Sequence, residues 1–382
     1  MSRPRFSILM PSYNQAGYQI AALDSLLAQT MGDWEALVVN DGSTDGTPDL
    51  IESYGRRDPR FRVFHKTNGG TASALNEGLR HATGEWILWL SADDLFEADK
   101  LQRHAEECAR QPEACFFHTD FAMLEDATGT VTRDASPIRT SVPVPPWHIV
   151  SMFQFNYIDG ITVCLHRGLV AKVGDFRSLY GYAQDVDFWL RAALHAPPVF
   201  IPATTAVTRV HPGQGYFQNP ERCFLDAARA CADLLNSVPF PALFPGLDWR
   251  DDAQVGEALE RVFDLLCNTG SFVWLGGLER LLLPRLREWL ASGDNARHRR
   301  RVLDLCNRLV EQAPTGSPQL RCKEFADRLL DPAPAEPFHP IDPFMVLAMH
   351  GATLRERGHT PAAARMAAYL RQYGRSSKEA AL

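Results

Sequence analysis

The feature that most constrains the fold is a short apolar run that ends in two neighbouring carboxylates. Trp86-Ile87-Leu88-Trp89-Leu90 is unbroken by polar residues, and Asp93 and Asp94 follow it almost at once. Such a run is typical of a strand that is buried on both faces of a parallel sheet. In open α/β sheets, ligands bind just beyond the carboxyl ends of the strands. The run therefore predicts a parallel strand that places Asp93 and Asp94 at a ligand-binding edge.

Two adjacent carboxylates repel each other unless a cation or hydrogen-bond donors share the site. Hard oxygen ligands suit Mg²⁺ or Mn²⁺, and such an ion can bridge to phosphate oxygens. The alternative is a solvated Asp-Asp turn that caps the next helix, near Glu97. The pair alone leaves both interpretations open, and the surrounding sequence favours the first.

The first 90 residues alternate between strand and helix patterns. Strands are predicted at residues 6–10, 36–39 and 61–64, the first one ended by Pro11, and apolar residues at helical spacing follow each. This βαβαβαβ order predicts an α/β protein with a doubly wound, mainly parallel sheet.

The loops after the first two strands narrow the kind of ligand. A Rossmann dehydrogenase carries Gly-x-Gly-x-x-Gly after its first strand, with an acidic residue at the end of the second. Residues 11–15 are Pro-Ser-Tyr-Asn-Gln, without glycine, whereas Asp41 does follow the second strand. These residues favour a nucleotide whose phosphates are held by a metal ion.

Length and composition bound the remaining possibilities. A chain of 382 residues is long enough for two domains, and from Pro220 onward the pattern changes to helix only. We predict a nucleotide-binding domain at residues 1–218 and a helical region of unknown role at 219–382, with a stiff Pro-rich linker at 331–337. The net charge of −7 argues against a nucleic-acid partner.

The sequence also predicts where the protein resides. It starts without a secretory apolar segment, and no apolar run reaches the ~20 residues that span a bilayer. We therefore expect a cytoplasmic protein without a transmembrane segment. Peripheral contact with the inner face of the membrane stays open because residues 297–301 are Arg-His-Arg-Arg-Arg, although a solvated helix face is the simpler interpretation.

Several motifs together give the N-terminal part a resemblance to a known family. It resembles the family-2 inverting glycosyltransferases, which have the GT-A fold. The resemblance implies a GT-A type nucleotide-binding sheet, mixed but mainly parallel, followed by an all-α C-terminal region that the resemblance does not cover. The matching segments, in the family's order and spacing, are Met10-Pro11-Ser12-Tyr13-Asn14, residues 38–47 with Asn40-Asp41-Gly42-Ser43, Asn68-Gly69-Gly70, residues 74–78 with Asn76-Glu77-Gly78, and residues 82–94.

The resemblance assigns roles on the donor side. It implies that Asp41 accepts a hydrogen bond from the donor's base and that Pro11 and Tyr13 line the same pocket. Asp93 would contact the ribose or the metal, and Asp94 would bind the metal directly. Ser91 and Asn40 stand where the family often has Asp, so one carboxylate is missing near the metal.

It also assigns a base and a third metal ligand. Residues 180–191 resemble an acceptor-side segment in which a Glu-Asp pair opens a helix; here Gln184 replaces the Glu, and Asp185 keeps the position of the catalytic base. Its alternative is a plain helix cap. The Arg-x-His ending at His211 resembles an element that approaches the metal or diphosphate, the alternative being a surface-loop histidine.

The resemblance thus predicts a metal-dependent inverting glycosyltransferase. The donor would be a nucleotide-diphosphate sugar, most often a uridine nucleotide, and the metal Mn²⁺ or Mg²⁺. The acceptor stays open between a glycan, a lipid-linked glycan, a small molecule and a peptide, and homo-oligomers stay open as well. The competing interpretations are a non-catalytic sugar-nucleotide-binding or scaffold protein on a degenerate transferase domain, and a nucleotidyltransferase, which should show a Gly-rich basic loop that this chain lacks.

Overall fold

The architecture is taken from a computed structural model. It describes residues 3–133, 146–154, 156–267 and 278–312, together with residues 323, 326 and 327. The linker and the final helical pair that the sequence predicts after residue 330 lie outside the described residues.

A parallel sheet with helical crossovers forms the first part of the chain. Its strand order is β3-β2-β1-β4, all parallel. The strands are β1 (Phe6–Ser12), β2 (Trp34–Asn40), β3 (Phe61–His65) and β4 (Trp86–Trp89), and the helices are α1 (Ala16–Leu27), α2 (Thr47–Arg57) and α3 (Thr71–His81). The predicted alternation of strand and helix is therefore confirmed.

The first strand runs farther than predicted. Pro11 does not end β1; it pairs with Val39 of β2, and the strand continues to Ser12. The last residue of β1 that pairs with β4 is Leu9, so Pro11 lies beyond the ladder on that side. A proline is tolerated at such an unpaired edge because no partner needs its missing N–H.

Both faces of this sheet are covered. On one face Ile8, Val38 and Leu88 join a core that also contains Leu23 and Leu26 of α1. On the other face α3 approaches closely through Gly78, where an added Cβ would lie 3.0 Å from Leu9 Cδ2. All four residues of β4 are buried, as expected for the apolar run.

The sheet then continues with mixed strand directions. From β4 the order is β8-β6-β9-β5; β8 is antiparallel to β4 and β6, β9 is parallel to β6, and β5 is antiparallel to β9. The short β7 pairs with β6. The strands are β5 (Leu95–Phe96), β6 (Phe116–Glu125), β7 (Thr130–Thr132), β8 (Val163–His166) and β9 (Val199–Val210).

Helices of this part flank the mixed strands. They are α4 (Lys100–Arg110), α6 (Arg167–Val173), α7 (Gln184–Ala193) and α8 (Gly215–Gln218). The largely apolar residues 160–167 predict a single strand, but they form a 3₁₀ turn, then β8, and then the start of α6. Residues 199–210 form one long strand, β9, with irregular pairing opposite Asp120.

The chain divides into two compact units, residues 1–142 with 157–220 and residues 143–156 with 221–382. The described helices of the second unit are α5 (His148–Gln154), α9 (Pro220–Ser237), α10 (Asp252–Cys267), α11 (Leu278–Ala291) and α12 (Arg299–Gln312). In the described part of the chain, no helix has both the length and the apolar content to cross a membrane. Arg297 of the basic cluster pairs with Asp252 at 2.8 Å.

Candidate functional site

Asp41, at the end of β2, is tied to the loop that precedes α3. Its carboxylate accepts hydrogen bonds from the backbone amides of Gly69 (3.0 Å) and Gly70 (2.7 Å) and from Lys66 Nζ (2.5 Å). Gly42 has φ +77°, and a Cβ there would lie 2.8 Å from the amide nitrogen of Asn68. The Asp-Gly and Asn-Gly-Gly segments thus form one structure, in which Asp41 is almost fully buried.

The loops after β1 and β2 are joined by side-chain hydrogen bonds. Asn14, with φ +53°, accepts from the Thr44 amide at 2.8 Å, and its own amide donates to Ser43 Oγ at 2.9 Å. Pro11 is partly exposed and Tyr13 is 48% exposed beside this junction. Pro11, Tyr13 and Asp41 therefore lie along the carboxyl ends of neighbouring strands.

Asp93 and Asp94 are fixed by the last residues of β9. The backbone amide of Arg209 donates to Asp94 Oδ1 at 2.9 Å, and Arg209 Nε donates to the backbone carbonyl of Asp93 at 3.0 Å. The Ser91 hydroxyl also hydrogen-bonds to Asp94. Ser91, which replaces a frequent acid, thus supports the adjacent carboxylate as a donor.

His211 meets Asp93 at the same place. His211 Nε2 lies 3.1 Å from Asp93 Oδ2, and the imidazole packs against the Tyr18 ring with a centroid separation of 4.4 Å. His211 is only 4% exposed. It is therefore a buried partner of Asp93.

Asp159 is a site residue that the sequence reasoning missed. Its carboxylate accepts from the Ile161 amide at 3.1 Å and from Thr208 Oγ1 at 3.5 Å, one residue before Arg209. Burial raises the pKa of Asp159, and the charge of Asp93 raises it further. The available signal was a lone acid within the apolar segment Tyr157-Ile158-Asp159-Gly160-Ile161, since an acid is seldom buried without a specific role.

The carboxylate predicted as the base lies in the first turn of α7. Burial raises the pKa of Asp185 to about 7, and the charge of Asp159 contributes to the increase, while the Val186 amide opposes it by donating to the carboxylate. The charge of Asp159 therefore influences both Asp185 and Asp94. The pKa of Asp94 is raised well above its usual range by burial and by the charges of Asp93 and Asp159.

The residues around Asp185 hold it in position. With its amide nitrogen facing the preceding turn, Gln184 donates to the carbonyls of Tyr180 and Gly181 at 3.1 Å each. A glutamate carboxylate could not donate those bonds. The backbone of Phe176, earlier in the same stretch, is held by the side chain of Asn76. Asn76 Nδ2 donates to the Phe176 carbonyl at 2.8 Å, and Asn76 Oδ1 accepts from the Phe176 amide at 2.9 Å. Gln184 thus has a structural function of its own in this chain.

The donor atoms suit a divalent cation that is shared with a phosphate ligand. In the part of the chain that the structure describes, no three His, Cys, Asp or Glu side chains surround a common point. Asp93 Oδ2 and His211 Nε2 are 3.1 Å apart, which matches the spacing of about 3 Å between neighbouring ligands of an octahedral ion at 2.1 Å. Because Mg²⁺ sites commonly combine one or two protein ligands with substrate phosphates, this pair fits such an ion.

Direct contacts at or beside β9 bring together Asp93, Asp94 and His211. The charge of Asp159 raises the pKa of both Asp94 and Asp185. Pro11, Tyr13 and Asp41 lie at the ends of β1 and β2 on the same edge of the sheet, where β1 separates β2 from β4. This edge has room for a ligand along the ends of β1 and β2, acidic groups near β4 and β9 that would hold a cation to balance phosphate charge, and a carboxylate of raised pKa at Asp185.

Sequence comparison assigns the N-terminal part of the chain to a class. Residues 7–140 match the family model described as glycosyl transferase family 2. This match confirms the resemblance to family 2 glycosyltransferases found in the motifs of the N-terminal part.

Particular relatives and structures agree with this class. An uncharacterized glycosyltransferase of Rickettsia felis is 32% identical over 215 residues, which are 56% of this chain and 35% of that relative. The chain thus spans about a third of that relative's length. S. aureus TarS 1-349 in complex with UDP-GlcNAc matches with a TM-score of 0.51 and 17% identity, over 85% of this chain and 89% of that one.

A second solved structure is the mannosyltransferase PcManGT from Pyrobaculum calidifontis in complex with GDP-Man and Mn²⁺. It matches with a TM-score of 0.52 and 20% identity, over 86% of this chain and 86% of that one. Both neighbours have the GT-A fold, so the predicted fold class, a mixed and mainly parallel sheet followed by helices, is confirmed.

Proposed function

We propose that this protein is an inverting glycosyltransferase that uses a nucleotide-diphosphate sugar and Mn²⁺ or Mg²⁺. The observation that supports the proposal is that Asp185 and Asp94 are carboxylates whose pKa is raised by burial and by the charge of the same neighbour, Asp159, while Asp93 pairs with His211 at 3.1 Å. Such a pair of environments, one for charge balance and one for proton transfer, is what glycosyl transfer from a diphosphate requires.

The donor would bind along the ends of β1, β2 and β4. Pro11 and Tyr13 would line the base pocket, and Asp41 would accept a hydrogen bond from the base while it holds the Gly69–Gly70 amides. A uridine nucleotide is our choice of donor, because a neighbour of the same fold is described with UDP-GlcNAc. The other neighbour is described with GDP-Man, so guanosine nucleotides are the competing donors.

The metal would bind first at Asp93 and His211, the pair whose side chains meet, with the neighbouring Asp94 as the proposed third ligand. Bound there, it would supply positive charge that offsets the charge on the diphosphate leaving group. The raised pKa of Asp94 supports this placement, because its carboxylate is buried beside the charges of Asp93 and Asp159, and a cation bound there would offset that repulsion.

Asp185 would act as the general base. The acceptor's nucleophilic oxygen forms a bond to the anomeric carbon, and its proton passes to the Asp185 carboxylate. The bond from the anomeric carbon to the diphosphate oxygen breaks on the opposite side, and its electron pair leaves with the diphosphate. This single displacement inverts the anomeric configuration and needs no covalent intermediate with the protein. A base with a pKa near 7 is well matched to this proton transfer.

The test is a panel of UDP- and GDP-sugars, each with and without Mn²⁺, in which melting temperature and donor hydrolysis are measured. We expect at least one sugar nucleotide to stabilise the full chain, and to do so more strongly with Mn²⁺. Asp185→Asn should keep that stabilisation, since it leaves the donor contacts in place, and should lower turnover by at least a thousandfold.

Three results would contradict the proposal. If no sugar nucleotide stabilised the protein, the donor site would be wrong. If Asp185→Asn turned over at near the wild-type rate, the assignment of the base would be wrong. Stabilisation by a sugar nucleotide without any turnover in the wild type would favour the non-catalytic binding or scaffold protein instead.

A further inference from the structure

Three exposed aromatic rings lie on the two segments that carry Asp185 and His211. Tyr182 is 40% exposed, Tyr216 is 51% exposed and Phe217 is 53% exposed. Tyr182 precedes Asp185 by three residues, and Tyr216 and Phe217 follow His211 by five and six residues. We call these three rings the aromatic platform.

The rings are held in one arrangement by their neighbours. Asn219 Nδ2 donates to the Tyr182 hydroxyl at 2.9 Å, and a Cβ on Gly215 would lie 2.8 Å from the Tyr182 ring, so that ring packs against the Gly215 backbone. The rings of Tyr216 and Phe217 meet edge to face with a centroid separation of 5.6 Å. Residues 182 and 215–219 therefore form one local structure.

The segment after His211 is also fixed internally by its own amides. Gln214 Nε2 donates to the Arg209 carbonyl at 2.5 Å, and Gln214 Oε1 accepts from the His211 amide at 3.3 Å. Gln218 Nε2 donates to the Pro212 carbonyl at 2.6 Å. Because the backbone is already ordered, binding a ligand on the platform costs little conformational entropy.

The charges within these two segments favour a neutral ligand. Residues 180–185 and 211–219 contain no Lys or Arg, and their acidic residue is Asp185. A phosphate or carboxylate group placed here would be repelled by Asp185 and would find no basic partner in these segments. A neutral ligand with an apolar face suits the rings better.

We propose that the aromatic platform binds a neutral sugar ring of the acceptor, so that the acceptor is an uncharged glycan end. The C–H groups on one face of a pyranose pack against the electron-rich face of an aromatic ring. A sugar seated on Tyr182 would present its hydroxyl groups toward Asp185 on the next turn. The inference rests on the proposed transferase function and adds the substrate class to it.

The experiment measures glycan binding and donor binding separately on the full chain. The wild type, Tyr182→Ala and Phe217→Ala are applied with UDP and Mn²⁺ to an array of neutral oligosaccharides and of matched oligosaccharides that carry uronic acids or phosphates. Val131→Ala is the control, because Val131 is 46% exposed on β7 and belongs to neither segment. We expect neutral glycans to bind, with about tenfold weaker binding in both platform variants and unchanged binding in the control.

Other outcomes would overturn the inference. These are a preference for acidic glycans, equal binding by all variants, or no neutral glycan bound. Platform-dependent sedimentation with vesicles of phosphatidylcholine and phosphatidylglycerol would assign the rings to a membrane surface, and platform-dependent dimers in light scattering would assign them to a second copy of the chain.

Failure of the inference is distinguishable from failure of the proposed function. The melting-temperature increase with sugar nucleotides and Mn²⁺ tests the donor site and does not depend on the platform. If that increase is present and the platform variants bind glycans normally, only the acceptor inference falls. If the increase is absent for every sugar nucleotide, the transferase proposal falls, whatever the array shows.

Discussion

Asp185 shows how one carboxylate can be a base at neutral pH although it lies at the start of a helix. The helix N-terminus and the Val186 amide favour the anion, but burial and the charge of Asp159 outweigh them and raise its pKa to about 7. The environment of the side chain, and not its position in the helix, therefore sets its chemistry.

The pH dependence of transfer follows from this value. Only the deprotonated carboxylate can accept a proton, so kcat/KM should fall about tenfold per pH unit below about 7 and level off above it. Asp159→Asn removes a negative charge that raises the pKa, so it should move the acidic limb to lower pH. Measurement of kcat/KM from pH 5 to 9 checks both. The control is the stabilisation of the protein by the sugar nucleotide over the same pH range. If the acidic part of the kcat/KM profile were unchanged in Asp159→Asn, the charge of Asp159 would not affect the pKa of Asp185.

A buried lysine beneath the site gives a stability prediction. Lys100 is fully buried, donates to Thr205 Oγ1 at 3.2 Å, and burial lowers its pKa to about 7. In the unfolded chain the pKa of Lys100 is near 10.5. Between pH 7 and pH 10.5 the unfolded state therefore binds a proton that the folded state does not, so the contribution of Lys100 to the free energy of unfolding increases with pH. Lys100→Met removes the buried charge.

We therefore expect Lys100→Met to raise the free energy of unfolding at pH 6, and by about 2 kcal/mol more at pH 6 than at pH 9. Urea denaturation at the two pH values measures this. Lys172→Met is the control, because Lys172 is exposed in α6 and should show no such difference. A larger gain at pH 9 than at pH 6 would show that the Lys100 ammonium is stabilised in the folded state.

At the residue scale, the sequence predicted the positions with a family motif and missed those without one. Asp41, Asp93, Asp94, Asp185 and His211 follow strands or begin helices in recognisable segments, and their roles stay predictions. Asp159 and Lys100 belong to no motif, and they reach the site only through the approach of segments distant in sequence. The supporting bonds of Ser91 and Gln184 were likewise invisible, because each depends on the atoms that face the side chain.

At the scale of single elements, the pairing of β1 with β4 depends on a close backbone approach at Gly84. A Cβ there would lie 2.6 Å from the Ser7 amide nitrogen and 2.7 Å from the Phe6 carbonyl carbon. Backbone atoms cannot move aside as a flexible side chain can. Gly84→Ala should therefore force the start of β4 away from β1 and lower the free energy of unfolding by about 2 kcal/mol.

The matched control is Gly17→Ala in α1. An added Cβ at Gly17 meets nothing within 4 Å. Alanine favours a helix over glycine, so this change should raise the free energy of unfolding by up to about 1 kcal/mol. Chemical denaturation of both variants measures the contrast, and equal stability of Gly84→Ala and the wild type would show that the two strands can separate freely.

The elements that the sequence predicted best are those with strong periodicity. The strands β1 to β4 were placed within a few residues, and the change to helices after residue 220 was found as well, because apolar spacing reflects which side chains are buried. The mixed strands were less well resolved, because residues 160–167 were predicted as one strand but contain a 3₁₀ turn, β8 and the start of α6. Where the pairing of two strands is irregular, as between β6 and β9, the alternation of apolar and polar residues does not show where a strand begins or ends.

At the scale of the whole molecule, the two units do not follow one another simply along the chain. The sequence predicts one boundary, between residues 218 and 219, and that boundary stays a prediction. The second compact unit also contains residues 143–156, which lie well before it. Periodicity could not reveal that residues 143–156 belong to the second unit, because α5 has only seven residues. The contacts of this segment also lie far along the chain. Trp147, just before α5, packs against Phe244 with ring centroids 5.9 Å apart.

A truncated chain of residues 1–218 should therefore be poorly soluble. In α5 the side chains of Ile149, Val150, Met152 and Phe153 are buried, and removal of residues 219–382 would expose them with the loss of the rest of their unit. Size-exclusion chromatography with light scattering should show aggregates of 1–218 and monodisperse full-length chain. Replacement of Ile149, Val150 and Phe153 by Ser in the truncated chain should restore solubility, and a soluble unmodified truncation would contradict the expectation.

The late position of β9 has a consequence for synthesis on the ribosome. Strands β1 to β4 pair through local crossovers and can form while the chain is still growing, but Arg209 and His211 emerge only near the end of this part. Under the proposed function, a ribosome-bound chain would therefore complete its base pocket at β1 and β2 before it completes its diphosphate site.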